Sequence, residues 1–228
     1  MIFTKNEIDG LKIELPKIKR EWVDQILLVD ASDDGTAEYA ASMGCEVYRQ
    51  KNPGLRAAYQ ESWPLIKGDW VMTYSPDGNS PPEYIPKLIE EMKKGYDMVI
   101  GSRYYNGDLK SEDDTIITAF GNRIFRIVIN TLFGFNYTDP MTIYRIYRKD
   151  LFQELDLHLD STYQAFEKLY RTKIGVEPIL STRFAKKRLK LKEIYCHEPL
   201  RVGGEKKLQV VRWGLAYMTQ IICERVKA

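Results

Sequence analysis

Apolar runs alternate with polar, helix-patterned stretches along the first hundred residues. Trp22-Val-Asp-Gln-Ile-Leu-Leu-Val-Asp30, Asp69-Trp-Val-Met-Thr-Tyr74 and Tyr96-Asp-Met-Val-Ile-Gly-Ser-Arg103 read as buried strands, and Cys45-Glu-Val-Tyr48 as a shorter one. Helical sequence separates them: Ile8 to Arg20 with Pro16 inside it, a run from Thr36 to Gly44, a segment from Asn52 to about Ile66, and a helix opening at Pro81-Pro-Glu83. Further on, Ile116 to Phe133 is helical, Leu189-Lys-Leu-Lys-Glu-Ile194 alternates like a strand, and Leu208, Val211, Leu215, Met218 and Ile222 form a helical stripe. Strands alternating with helices predict an α/β fold with a mostly parallel central sheet flanked by helices.

Three of the apolar runs end in polar loops, which in an open α/β sheet share one crevice at the carboxyl ends of the strands. Ser75-Pro-Asp-Gly-Asn79 is the most informative of them. Asp77 and Asn79 lie two apart around a glycine, so both side-chain oxygens can turn toward one hard cation, Mg2+ or Mn2+, of the kind that also takes phosphate oxygens. Taken alone, an Asp-Gly-Asn loop is more often a solvated turn, and it is the convergence of three such loops that favours the metal. Asn52-Pro-Gly54 offers a glycine where backbone can approach a ligand, followed by Arg56 as a cation for phosphate or simply a surface arginine.

Order and spacing of these pieces resemble family 2 glycosyltransferases of the GT-A, Rossmann-like nucleotide-sugar-binding fold, in particular the dolichol-phosphate mannosyltransferase and polyprenyl-phosphate glycosyltransferase branch. The resemblance rests on Asn6-Glu7, Val29-Asp30 through Asp34-Gly-Thr36, Asn52-Pro-Gly54, Ser75 to Glu83, Gly101-Ser-Arg103, Asp139, and Arg201-Val-Gly-Gly-Glu-Lys-Lys207, and covers nearly the whole chain. It implies one domain over residues 1–228, with a nucleotide-sugar-binding half at 1–104 and an acceptor-binding half at 105–228 that ends in a helix. It also implies a truncated first strand, since Met1 to Lys5 alone precede Asn6; the natural chain is then expected to begin earlier, or this one to be marginally stable.

By the same resemblance Asp30 contacts the base or ribose, Glu7 supports it, and Asp34 shapes the loop. Asp77 and Asn79 hold the cation, although Ser75 stands where the family carries a further acid. Arg103 reaches the sugar or diphosphate, and Arg201, Lys206 and Lys207 fold over the phosphates. Opposite unit charges 4 Å apart attract by about 4 kcal/mol at an effective dielectric of 20 and about 1 in water, so such groups matter most in a closed pocket. Asp139 sits where relatives carry an acid, though Asp-Pro is also a plain turn starter. A sugar hydroxyl as acceptor would need Asp139 as a base, whereas a phosphate needs only positioning. Arg123, Arg126 or the run Lys186 to Lys192 is expected to hold a polyprenyl phosphate. The donor would be a UDP- or GDP-sugar. Two alternatives stay open: an enzyme acting on a carbohydrate hydroxyl in polysaccharide synthesis, and a nucleotide-sugar-binding homologue without activity. A nucleotidyltransferase would show a glycine- and arginine-rich loop where Asn6-Glu-Ile-Asp9 stands.

Bulk properties narrow the setting. With 228 residues, 44% hydrophobic and 29% charged, the chain can bury a full core, and a net charge of +2 gives nucleic-acid binding no general support. Cys45, Cys196 and Cys223 are odd in number and far apart, which speaks against a disulfide framework or zinc site and for a reducing, cytoplasmic environment. The segment Ile116 to Phe133 reads as too polar and short to span a bilayer, so membrane contact is expected to be peripheral, on the cytoplasmic face. The acidic stretch Glu112-Asp-Asp114 reads as a mobile loop, and His158 and His197 as surface residues.

Overall fold

The computed structural model describes residues 1–107, 111–202 and 210–226. In chain order the elements are β1 (Ile2–Thr4), α1 (Ile8–Glu14), β2 (Leu27–Asp30), α2 (Thr36–Ser42), β3 (Glu46–Arg49), α3 (Leu55–Ser62), β4 (Trp70–Thr73), α4 (Ile85–Met92) and β5 (Met98–Ser102), followed by α5 (Ile116–Phe133), β6 (Arg145–Arg148), α6 (Leu151–Glu154), α7 (Gln164–Tyr170), α8 (Glu177–Lys186), β7 (Leu191–Tyr195) and α9 (Val210–Val226). The parallel strands β1, β2 and β3 are hydrogen-bonded in that order, and β4, β6, β5 and β7 form a second ladder. A parallel bridge between Ile2 and Tyr74 joins the two, with the Tyr74 amide donating to Met1 O at 3.0 Å and the Phe3 amide to Tyr74 O at 3.3 Å. The combined order is β3-β2-β1-β4-β6-β5-β7, in which β6 alone runs antiparallel. Strand order reverses direction between β1 and β4, and such a switch point is where open α/β sheets bind ligands.

Alternation along the strands divides the core. Leu27, Val29, Met98 and Ile100 face the layer that holds α3, α5, α8 and α9, while Leu28 and Val99 face the layer of α1 and α4. Short as it is, β1 pairs with β2 at all three positions, Ile2 to Leu28 through Thr4 to Asp30. Its terminal ammonium donates to Met72 O at 2.7 Å, and burial pulls that group's pKa down to about 5.

Besides the second strand, which opens only at Leu27 after a 3-10 turn at Arg20–Trp22, three elements differ from expectation. Pro16 ends the first helix at Glu14 and starts a single 3-10 turn, Leu15–Lys17, because its ring cannot continue the α-helical bonding. Likewise α3 stops at Ser62 before a 3-10 turn containing Pro64. Third, α5 is long and apolar enough to cross a membrane by length and composition, contrary to the expectation above. Here it packs on α8 and α9 through a stripe of Phe125, Ile129 and Phe133, and leaves Ile116, Ile117 and Phe120 exposed.

One glycine couples this scaffold to the site. A Cβ at Gly10, inside α1, would lie 2.3 Å from the Pro76 carbonyl oxygen and 3.2 Å from the Asp77 Cα. Alanine normally improves a helix interior by about 1 kcal/mol. Gly10→Ala is expected to do the reverse, lowering stability by about 1–3 kcal/mol, because backbone must move to admit the methyl group. An unchanged or higher melting temperature would show that α1 does not press on the Asp77 loop.

Candidate active site

Tyr74 leaves β4 beside the start of β1, and the next residues turn back on themselves. Asp77 is buried; its carboxylate accepts from the Ser75 side chain and from the Asn79 amide at 3.5 Å, and burial pushes its pKa up, with Arg201 partly offsetting the rise. Gly78 takes φ +87°, and Val202 lies so near that a Cβ there would meet its Cγ2 at 2.8 Å. The Val202 amide donates to Asp77 O at 2.7 Å, which fixes the 198–202 segment across this turn. Asn79 stands in the same loop, its Oδ1 accepting from Ser80 at 3.3 Å.

Arg201 gathers charge from three parts of the chain. Its guanidinium lies 3.6 Å from Asp77 and 2.9 Å from Asp113, and Glu7, at the end of β1, adds to the field that holds it protonated against the cost of burial. The acidic 112–114 stretch thus closes over the crevice, and Asp113 is a site neighbour that the sequence reading took for loop. Lys206 and Lys207, with Gly203 and Gly204, lie outside the described residues.

A second cluster forms past the end of β5. Arg103 donates from Nε and Nη2 to the two oxygens of Asp139 at 2.6 and 2.9 Å, its amide reaches the same carboxylate at 3.2 Å, and Nη1 meets Glu198 at 3.3 Å. Burial opposes the charge on Arg103, but the two carboxylates raise its pKa further above its usual value. Asp139 is fully buried. It is placed there because Glu193, on β7, accepts the Thr138 and Asp139 amides at 2.7 and 3.0 Å. Glu193 and Glu198 were missed from the sequence. The first had a signal, since alternation from Leu189 and Leu191 puts a glutamate on the same, inward face. Tyr104 extends the cluster toward α5, donating to Asp114 at 2.5 Å and accepting from Asn122 at 2.8 Å. Arg126 is half-buried one helical turn beyond Asn122 on that face, and Arg123 is exposed.

On the β2 side the candidates serve mainly each other. Asp30 is buried, and its oxygens accept from Thr4 and Arg49 at 2.7 Å each and from the Ser32 hydroxyl and amide, so Arg49 rather than a ligand meets its charge. Asp34 accepts from the Thr36 amide at 3.0 Å and the Ile8 amide at 3.3 Å, tying the starts of α2 and α1 together and lowering its pKa. Gly54 has φ +101° and opens α3 with its backbone exposed. Arg56 is drawn away from the crevice: it pairs with Asp160 and, at 2.9 Å, Glu167, and stacks over Tyr163 at 4.8 Å. The run Lys186 to Lys192 precedes and opens β7, which pairs in parallel with β5 from Met98, and therefore lies at the sheet end opposite Arg103.

Asp77 and Asn79 suit a hard cation. Among the described residues no three His, Cys, Asp or Glu side chains converge as a protein-only cage. A single desolvated carboxylate with an asparagine in the same turn matches the way Mg2+ and Mn2+ are held when substrate phosphates and water complete the shell.

Residues 2–156 match the family described as glycosyl transferase family 2. An undecaprenyl-phosphate mannosyltransferase of Micrococcus luteus is 31% identical over 236 residues, covering 95% of this chain and 93% of that protein. A dolichyl-phosphate hexose transferase of Haloferax volcanii is 31% identical over 132 residues, 58% of this chain and 57% of its own length. Among solved structures, glucosyl-3-phosphoglycerate synthase from Mycobacterium tuberculosis, in complex with phosphoglyceric acid, superposes with a TM-score of 0.67 over 100% of this chain and 79% of that one, at 17% identity, a likeness of fold.

Proposed function

The chain belongs to glycosyl transferase family 2, and from that we propose that it moves a sugar, with inversion, from a UDP- or GDP-sugar to the phosphate of a polyprenyl lipid, working peripherally on the cytoplasmic face of a membrane. The observation that carries the acceptor class is Asp139. Both its oxygens are committed to Arg103, and Glu198 and Glu193 are likewise engaged, so among the described residues the acceptor side offers no uncommitted carboxylate as general base. A hydroxyl acceptor requires such a base; a phosphate is already anionic at neutral pH and attacks without one.

In this reading the acceptor phosphate oxygen forms the new bond to the anomeric carbon from the face opposite the diphosphate, whose oxygen leaves with the bonding pair, and no proton moves. Arg103 has five N–H groups and uses three side-chain ones on Asp139 and Glu198, which leaves two for a sugar or phosphate oxygen. Arg201 sits beside Asp77 to follow the diphosphate, and Arg123 and Arg126 on α5 take the acceptor phosphate. Asp77 and Asn79 would hold a divalent cation, which when bound neutralises charge on the leaving diphosphate. Similarity to the two lipid-phosphate transferases supports the same acceptor.

The test incubates the chain with Mn2+ or Mg2+, a short polyprenyl phosphate and a panel of labelled UDP- and GDP-sugars, and counts label extracted into butanol. Metal-dependent lipid-linked product is expected with one donor. Nucleoside diphosphate release without extractable product, restored by added glycan, would transfer the acceptor to a carbohydrate.

A further inference from the structure

Beside Gly54, where an added Cβ would lie 3.9 Å from the Lys173 Cβ, α7 and α9 border a cleft of about 780 Å3 whose lining includes Lys168, Arg171, Lys173, Arg212, Glu167 and Trp213. Four cations face one carboxylate there. Glu167 is buried and already spent on Arg56 at 2.9 Å, Lys173 at 3.2 Å and the Ile174 amide at 3.2 Å. Lys168, Arg171 and Arg212 are exposed, and none has an ion-pair partner among the described residues. Such a cleft focuses a positive field on whatever enters it.

Two features separate this cleft from an ordinary solvated basic face. Arg171 ends α7 with φ +49°, ψ +47°, a left-handed conformation in which glycine is the unstrained choice. A charged side chain is kept where the backbone asks for none. The same two helices carry exposed apolar side chains, Leu169 at 65%, Val211 at 73% and Leu215 at 53%, and Trp213 anchors its ring by donating to Thr172 at 2.8 Å. A soluble anion would leave those apolar groups in water. A bilayer surface covers them while its phosphates meet the arginines and lysine, and basic residues interleaved with aliphatic ones and a tryptophan are the composition of an interfacial anchor.

We propose that the α7–α9 cleft binds the phosphate headgroups of an anionic membrane surface. This rests on the lipid-phosphate reading above and names the surface through which the enzyme meets the bilayer.

Flotation of the full chain with vesicles of phosphatidylcholine, alone or mixed with phosphatidylglycerol, tests it. The wild type is expected to float with the anionic vesicles and to be released by salt. Lys168→Gln/Arg171→Gly/Arg212→Gln is expected to weaken that binding about a hundred-fold, roughly five-fold per cation removed. Arg171→Gly alone should melt at a higher temperature yet bind less, so its loss of binding is not misfolding. A charge-matched control, Lys12→Gln/Lys19→Gln/Lys93→Gln, alters exposed lysines elsewhere and should float like the wild type. Trp213 emission, assigned with Trp213→Phe, should shift with anionic vesicles and not with inorganic phosphate at the same phosphate concentration. Equal flotation of the cleft variant and wild type, equal loss in the control, or an equal response to free phosphate would each overturn the proposal. Transfer to a short polyprenyl phosphate in detergent is expected to be unchanged in the cleft variant. Its absence from the wild type as well would sink the sugar-transfer reading and leave the flotation result standing.

Discussion

Asp77→Asn is expected to lower metal-dependent transfer by about a thousand-fold in kcat/KM while leaving the fold intact. The turn after β4 offers one carboxylate, because Ser75 occupies the neighbouring position and Asn79 brings no charge. Removing Asp77 therefore removes the whole anionic contribution of that loop to a cation. Stability is expected to change little. Burial disfavours the Asp77 charge, and its nearest cation, Arg201, keeps Asp113 at 2.9 Å when Asp77 is neutralised. Melting temperature should hold while calorimetric Mn2+ binding in the presence of nucleoside diphosphate disappears. The converse change, Ser75→Asp, adds a second acid and is expected to tighten Mn2+ about ten-fold, since affinity follows the count of charged ligands. Transfer by Asp77→Asn within about ten-fold of wild type would show that this loop does not hold the cation.

What the sequence disclosed, and what it did not, follows from where the interactions are made. Leu27 to Asp30 and Met98 to Ser102 are buried on both faces, so their apolar runs and the polar residues that end them are visible in one dimension. The strand β6 is not, because Arg-Ile-Tyr-Arg begins and ends on cations. Arg145 is nevertheless fully buried, held by Pro140 O at 3.1 Å and Ser181 Oγ at 2.9 Å, partners supplied only by the finished fold. Site residues divide the same way. Asp77 and Arg103 are marked by strand ends next to them. Arg56 lies in the first turn of a helix that follows Gly54, a place that suggests a phosphate contact, yet its partners, Asp160 and Glu167, lie more than a hundred residues away. The acids at 112–114 read as loop because nothing nearby in sequence announces Arg201, 88 residues on from Asp113. Local pattern reveals which residues reach the crevice; charge pairing across the chain determines which of them a ligand still finds available.

The pair of Arg103 and Asp139 allows catalytic and structural roles to be separated. Arg103→Met leaves the fully buried Asp139 without its counter-charge and is expected to cost about 3–5 kcal/mol of stability together with at least a hundred-fold in transfer rate. Loss of activity in that variant alone would be ambiguous, since an unfolding protein is also inactive. Adding Asp139→Leu removes the orphaned charge, and exchanging a buried ion pair for apolar side chains of similar size is often neutral or stabilising. Glu193 would still accept the amides of residues 138 and 139, so the segment leading into β6 keeps its anchor. The double variant Arg103→Met/Asp139→Leu should therefore recover most of the melting temperature and none of the transfer. In that outcome the two uncommitted N–H groups of Arg103 act on substrate, and Asp139 serves to aim and hold them. Recovery of transfer along with stability would mean instead that the pair only braces the ends of β5 and β6, and that sugar and phosphate are met by Arg201 and the arginines of α5 alone.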